Sequence, residues 1–397
     1  MRRDGTVFKG ALLIAGTTIG GGMLAMPVLT SLGGFIPSMV VFFVSWLFMA
    51  TTGLLLLEVC LWMEGDTNFI SMTHKTLGRW GEIFSWVVYL FFFYCLTLAY
   101  VVACGKLVGD LFQPYLPEWT GPVIFLALFG PLVFVGARLV GRVNIFLMAG
   151  LIISFFFFLV LGYSYVNSEN LLDKNWLLSL KTLPIAFAAF GFQGTVPTLT
   201  RYLDYDKRKV QKAILIGSFA AFITYVIWHW LILGIVPKEG VGGLAEALIK
   251  GDTAVQPLKY ILNDPVIYIV SEFFAFFALV TSFLGVTLGL RDFLADGLGV
   301  KKTAKGRVFL CSLIFVPVLI AALLYPGIFI EALGYAGGYG GALLLGLLPI
   351  LMVWSGRHYM DLPDKQVAPL GRGVLSLMIL FVVFEIIVET LHVLKIF

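Results

Sequence analysis

The run Ile14–Pro27, IAGTTIGGGMLAMP, is apolar enough to lie within a membrane, yet four glycines, two threonines and a proline interrupt it. Its chemistry is therefore in the backbone. Glycine costs roughly 1 kcal/mol in a helix interior and proline about 3. A spanning helix tolerates such a break only where protein or a water-filled cavity satisfies the freed amides and carbonyls. Thr17, Thr18, Gly20, Gly21 and Gly22 thus mark a point where amides at the start of a second half-helix can bind an anion. Carbonyls of the preceding half-helix suit a cation. A second interrupted run, Ile185–Leu199, IAFAAFGFQGTVPTL, places Phe190, Gly191, Phe192, Gln193 and Gly194 in a similar break. The phenylalanines offer an apolar wall for a ring. Gln193 offers donors and acceptors for a hydroxyl, an indole N–H or a ligand backbone. Two broken helices in corresponding positions point to a binding site at the bilayer midplane, and a zwitterion presents a charge to each kind of helix end. The competing explanation for the glycines is a helix-packing face of the GxxxG kind; Pro27 and the second break weigh against it.

Ionisable and hydroxyl groups in apolar runs form a second set. Glu58 ends LLLLEVC. An intramembrane carboxyl is a functional candidate by default. It either carries a coupling proton or accepts hydrogen bonds from amides freed by the second break. Thr281 and Ser282, within ALVTSFLGVTLGL, are adjacent hydroxyls. With carbonyls of the first break they would make an oxygen cage for sodium; otherwise they bond back to the preceding helical turn. Arg2 and Arg3 precede the first span, and Asp292 and Asp296 lie at the inner end of the eighth. A pair between these groups would close the cytoplasmic path, although exposed ion pairs contribute little energy. Tyr94 and Tyr100 of the third span either reach the ligand or fill the core. The glycine run GYAGGYGGA, 334–342, predicts a thin or bent tenth span able to admit a bulky side chain. Glu331, Glu385 and Glu389 lie near span ends, where solvation is expected.

The elements that must position these groups are apolar helices. Of the 397 residues, 60% are hydrophobic and only 13% charged, with a mean hydropathy of +0.97, against about 25% charged residues in a soluble domain. Apolar runs of about 20 residues indicate an all-α integral membrane protein, and the absence of period-two alternation argues against a β-barrel. We expect eleven transmembrane helices: 6–31 (broken), 34–62, 82–112, 121–138, 144–167, 182–202 (broken), 210–236, 265–290, 307–325, 328–354 and 373–395. The segment 237–264, helical around 244–249, would cap one face. Spans one to five (about 6–167) and six to ten (about 182–354) share an outline but start on opposite sides, a 5+5 inverted repeat with an extra helix eleven (about 373–395), all in one transmembrane domain. Twenty of the 27 lysines and arginines fall on the N-terminal side of this topology and six on the other, which predicts a cytoplasmic N-terminus and a C-terminus on the outer side. The N-terminal apolar run is too long for a signal peptide and has its glycines placed as a break.

Several function classes are excluded or disfavoured. The net charge of +4 comes from loop residues that set topology and implies no nucleic-acid partner. Cys60, Cys95, Cys104 and Cys311 lie in apolar runs without metal or disulfide spacing, and His74, His229, His358 and His392 are scattered, so no resident metal is expected. No nucleophile–base pair supports an enzyme. Two buried breaks without a ring of charges fit an occluding site better than a channel.

The segments IAGTTIGGGMLAMP, LLLLEV, FGFQGTVP, LVTSFLGVTLGL with RDFLAD, and YPGIFIEALGYAG resemble those of the bacterial hydroxy and aromatic amino acid permeases, the tyrosine and tryptophan transporters, over nearly the whole chain. The resemblance implies the leucine-transporter fold and a multi-pass protein of the bacterial inner membrane with a periplasmic C-terminus. It also implies import of an aromatic L-amino acid by proton symport, with spans one, two, six and seven moving as a bundle. Membrane lipid is the implied surrounding and no cofactor beyond the coupling cation, H+ or Na+, is implied; the oligomeric state stays open, a monomer being compatible. By the same resemblance the segments around Thr17–Gly22 and Phe190–Gly194 hold substrate, a hydroxyl pair like Thr281 and Ser282 binds sodium in the wider superfamily, and an aspartate placed like Asp296 pairs with an N-terminal arginine. Two positions depart from the pattern. Enteric members commonly have histidine where this chain has Gln193, which cannot titrate, and Arg291 stands where an apolar residue is usual. The alternatives are a sodium-coupled importer of aromatic or neutral amino acids and a non-transporting amino acid sensor; short loops without an appended soluble domain argue against the sensor.

Overall fold

The computed structural model describes residues 5–63, 68–112, 115–262, 264–301, 303–360, 362 and 366–396. Among them the chain is helical throughout its core. The first span is α1 (Val7–Thr18) and α2 (Gly22–Gly33), bent by 59° at the first break. Then follow α3 (Phe35–Trp62), α4 (Phe69–Phe112), α5 (Thr120–Val135) and α6 (Ala137–Gly162). The sixth span runs through α7 (Trp176–Ser179), α8 (Leu183–Ala189) and α9 (Val196–Tyr202), with the second break between α8 and α9. The seventh is α10 (Lys207–Ile235). Short helices α11 (Leu244–Lys250) and α12 (Leu258–Ile261) follow, then α13 (Pro265–Gly297) and α14 (Ala304–Leu324). The tenth span comprises α15 (Phe329–Tyr335), a π-helical stretch Ala336–Leu347 and α16 (Leu348–His358), and α17 (Arg372–Val393) is the eleventh.

Nine described helical segments are long and apolar enough to cross a membrane, and the bent pair adds a tenth. The 16-residue α5 supplies the eleventh; at 1.5 Å per residue it is about 24 Å long, short of a typical hydrocarbon core. Spans two, three and four pack on spans seven, eight and nine, their expected equivalents: α3 on α10, α4 on α13, α5 on α14. The third span begins earlier than its hydropathy suggests. Residues from Phe69 form a helical turn region that joins the span at Gly78, where φ is +73°. Glycine relieves the backbone strain of that left-handed region.

Two local features shape the site. Pro27 lies inside α2, beyond the break itself. Its missing N–H frees the carbonyl four residues earlier, and the Trp228 indole N–H of α10 donates to that Met23 carbonyl at 2.7 Å. The glycine run of span ten widens into the π-helix. A side chain at Gly337 would stand 1.8 Å from the Pro184 carbonyl, and one at Gly340 would stand 2.9 Å from Phe92. The span is thus thin where it meets α8 and α4. At the opposite end from α1, segment 237–262 folds over the bundle: the Ala254 amide donates to the Leu24 carbonyl of α2 at 2.8 Å, and Gln256 Nε2 to Asp110 at 3.1 Å. Lys106 also pairs with Asp252.

Candidate functional site

The two breaks meet at a cavity of about 560 Å³. Its walls come from α1, α4, α6, the second break, α9, α13 and span ten. From the breaks it runs past Tyr89, Phe93, Asn144, Thr198, Arg201, Gly289 and Phe293. These residues lie toward the end of the bundle that carries the N-terminus and the lysine- and arginine-rich loops. Segment 237–262 covers the other end.

Each glycine of the first break has a steric reason. A Cβ on Gly20 would stand 2.4 Å from Ser282 Oγ, on Gly21 2.5 Å from Tyr100 Cε1, and on Gly22 3.1 Å from Ala189 Cβ. The last contact brings the two broken spans together. Helix α1 ends at Thr18, Ile19 is extended, and α2 begins at Gly22. The Gly21 amide donates to Ser282 Oγ at 3.0 Å. The Thr17 and Thr18 hydroxyls return to the Leu13 and Ile14 carbonyls, each at 2.8 Å, so these side chains serve their own helix while the residues line the cavity.

One hydroxyl serves both breaks. Tyr225 of α10, fully buried, has its hydroxyl 2.6 Å from the Thr18 carbonyl and 3.1 Å from the Ala189 carbonyl. A single O–H is thus shared between the last carbonyl of α1 and that of α8. Tyr225 and Trp228 were not expected from the sequence. Their only signal was two aromatic residues with polar tips three apart on an apolar span.

At the second break, Gly191, Phe192 and Gly194 face the cavity, whereas Phe190 and Gln193 do not. Phe190, 1% exposed, packs edge-on against Phe42 and Tyr225. Gln193 is fully buried and turned toward span two. Its Oε1 accepts the Phe192 amide at 2.9 Å, and its Nε2 lies 3.1 Å from the Met49 carbonyl and 2.9 Å from Thr52 Oγ1. The expectation that Gln193 offers hydrogen bonds to a ligand is corrected: its donors and carbonyl oxygen are engaged in holding the break to α3. Phe192 rests against the gap left by Gly53, where a Cβ would approach its ring to 2.6 Å.

The hydroxyl pair of α13 lines the cavity. Thr281 donates to the Phe277 and Ala278 carbonyls (2.8 and 3.0 Å), and Ser282 to Ala278 at 2.8 Å. Ser282 thereby presents one of its two lone pairs to the Gly21 N–H. Tyr100 lines the cavity beside Gly21, but Tyr94 is directed to the Leu313 carbonyl of α14 at 2.9 Å. Asn144 of α6, unforeseen, lines the cavity with a buried Oδ1 that has no hydrogen-bond partner among the described residues.

Glu58 lies away from the cavity. Its carboxylate meets Arg357 of α16 through two bonds of 2.6 and 2.7 Å and accepts the Val367 amide at 2.8 Å. Arg357 also donates to the Leu370 and Ala368 carbonyls. The expectation that Glu58 takes amides from the second break is therefore corrected, because the guanidinium satisfies it first. At the inner end of α13, Arg291 holds the Val133 carbonyl and pairs with Asp292 at 2.8 Å, while Asp296 is exposed. Arg2 and Arg3 lie outside the described residues, so the expected gate pair is not placed. Glu385 and Glu389 are buried, 0% and 2% exposed, contrary to the expected solvation; the packing of α17 on span ten removes them from water.

The geometry joins a polar pole, made of helix ends, to an apolar wall that includes Phe92, Leu96, Phe192 and Leu345. Such a site suits a small molecule with charges at one end and an apolar body. Comparison with known proteins agrees in fold and family. The structure of MhsT in complex with L-phenylalanine matches with a TM-score of 0.66 at 15% identity, covering 97% of this chain and 100% of that one. The tyrosine-specific transport system 1 of Haemophilus influenzae is 33% identical over 378 residues, 94% of this chain and 92% of its own. The tryptophan-specific transport protein of Shigella flexneri is 31% identical over 395 residues, 97% and 95% of the two chains. The tryptophan/tyrosine permease family matches residues 3–389, and this multi-pass membrane protein belongs to that family.

Proposed function

We propose that the protein imports an aromatic amino acid (tyrosine, tryptophan or phenylalanine) by proton symport through alternating access. The observation that carries this reading is the meeting of two broken helices, α1–α2 and α8–α9, at one cavity with an apolar wall. The substrate carboxylate would sit at the N-terminus of α2, near Gly20, Gly22 and Tyr100, where the helix end is partly positive. The ammonium would face the carbonyl ends of α1 and α8, and the ring would lie along Gly191, Phe192 and Leu345. The names of the relatives and the phenylalanine bound by the structural neighbour support that substrate class.

Orientation by the lysine- and arginine-rich loops makes the open end cytoplasmic, and this form is then inward-facing. Alternating access would rock spans one, two, six and seven against the rest of the bundle. Proton coupling is carried over from the resemblance to the family; at the alternative sodium cage, the Gly21 amide takes one of the two lone pairs of Ser282 Oγ and leaves the other.

The test is uptake of labelled tyrosine into proteoliposomes under an inward proton gradient in sodium-free buffer, with tryptophan and phenylalanine as competitors. Concentrative uptake is expected, and the order of competition ranks the substrates. Uptake that requires sodium would overturn proton coupling and return Thr281 and Ser282 to the leading cation site. Binding without any uptake would overturn transport in favour of a sensor.

A further inference from the structure

A second ionisable site lies outside the substrate cavity. Glu385 and Glu389 are four residues apart on α17, so they share one helix face. Glu385 is completely buried, and neither of its carboxyl oxygens has a hydrogen-bond partner among the described residues. Glu389 is 2% exposed, with its Oε2 equally unsatisfied. Burying an unpaired carboxylate is far more costly than burying the neutral acid, and two such carboxylates on one face add mutual repulsion. The face they occupy packs on the thin part of span ten: a Cβ at Gly338 would come within 2.6 Å of Glu389 Cγ, and one at Gly334 within 3.2 Å of its Oε1.

The pair has an opening on one side. A cavity of about 360 Å³ reaches Glu389 from the end of the bundle opposite the substrate opening. Besides Glu389, its charged and titratable groups are Glu331 and Tyr335 of α15, Lys181 from the turn before α8, His392 in the last turn of α17 and Lys395 beyond it; α2 contributes only Leu29. His392 Nδ1 is 3.8 Å from Glu389 Oε2. Tyr339 of the π-helix is engaged with Thr390 at 3.2 Å. The only titratable groups of α16 are Arg357 and His358 at its far end, and Arg357 is committed to Glu58. Phe381, one turn below Glu385, packs between Phe48 and Phe187 with ring centroids 5.1 and 5.9 Å away.

We propose that Glu385 and Glu389 form a proton-binding site, filled from the outer face and separate from the substrate cavity, whose occupancy sets the transport rate according to external pH. The proton adds to a carboxylate oxygen to give the neutral acid and returns to the outer solution by the same cavity; no other bond changes. The link to transport is span ten, which packs against Glu389 at Gly334 and Gly338 on one side and abuts the Pro184 carbonyl of α8 at Gly337 on the other. This link, and the outer assignment, rest on the transport function proposed above.

The test combines two measurements on the full chain. In purified protein near neutral pH, infrared spectroscopy should show the carbonyl stretch of a buried carboxylic acid, diminished in Glu385→Gln and in Glu389→Gln. In proteoliposomes, tyrosine counterflow should vary by about three-fold or more over roughly two units of outer pH, within the ten-fold per unit that one proton allows. The variation should flatten in both variants, while their accumulation ratio under an imposed gradient matches the parent. A parent spectrum without that band, a band unchanged in both variants, or an unaltered outer-pH profile would each overturn the proposal. So would loss of the accumulation ratio, which would make the pair the carrier of the coupled proton. If the parent shows no counterflow, the transport function fails, and the infrared result alone decides whether the proton site exists.

Discussion

At the residue scale, the site depends on what is absent and on one shared donor. Gly21 is required for space, since its backbone angles are ordinary (φ −57°, ψ −24°) while Tyr100 occupies the volume of any side chain. Gly21→Leu should insert but bind tyrosine about ten- to hundred-fold more weakly, the equivalent of about 1–3 kcal/mol of overpacking; a dissociation constant near that of the parent, by scintillation proximity, would contradict the placement of the carboxylate. Tyr225→Phe removes the hydroxyl between the Thr18 and Ala189 carbonyls and leaves both short of a donor. A loss of about 1–3 kcal/mol is expected, read as a lower unfolding midpoint in detergent that bound substrate only partly restores. Gln193 and Phe190 show the limit of sequence at this scale. Successive helical residues point about 100° apart, so which members of the second break face the cavity depends on the rotation of α8 and α9 against their neighbours.

At the element scale, α3, α16 and the segment after it are joined by one buried ion pair. Glu58 is 0% exposed, Arg357 is 8% exposed in its side chain, and the pair is supplemented by hydrogen bonds to the backbone at Val367, Ala368 and Leu370. Removing one partner strands the other charge. Arg357→Met should therefore cost about 3–5 kcal/mol, and Glu58→Leu combined with Arg357→Met should cost less than Arg357→Met alone. Thermal unfolding of the three proteins tests this order. Because Glu58 is outside the substrate cavity, Glu58→Gln should retain a gradient-driven accumulation ratio in whatever fraction folds; an uncoupled but folded variant would restore Glu58 as a proton carrier. The carboxyl itself stood out in the apolar run LLLLEVC. Its partner could not, because Arg357 is some 300 residues away along the chain and meets it only when spans two and ten pack.

At the scale of the whole molecule, the substrate cavity opens to one end while segment 237–262 closes the other. The Ala254–Leu24 hydrogen bond fastens that segment to α2, the half-helix that begins at the first break. Ala254→Pro deletes the donor and should shift the population toward an outward-open form, whereas Ala254→Gly should not. A cysteine at Ala188, in the cavity lining, would then react faster with an impermeant thiol reagent from the outer side, above the background set by the four native cysteines. No change in labelling between the two variants would show that this contact does not hold the outer end shut.

The sequence by itself determined the elements: apolar lengths set by bilayer thickness, two interruptions where glycine and proline make a continuous helix unfavourable, a cap over one face, and an uneven division of lysine and arginine between the two ends of the spans. These are local or additive energies, and each can be summed along the chain without knowing its neighbours. Tertiary structure decided the rest. It turned Gln193 inward to α3, paired Glu58 with Arg357, set Tyr225 across both breaks, gave Met23 a donor in Trp228, and enclosed Glu385 and Glu389, which lie close enough to a helix end to have been expected in water. Each outcome rests on a contact between spans remote in sequence. Burial and hydrogen-bond satisfaction belong to pairs of surfaces, and those pairs exist only once the helices have packed.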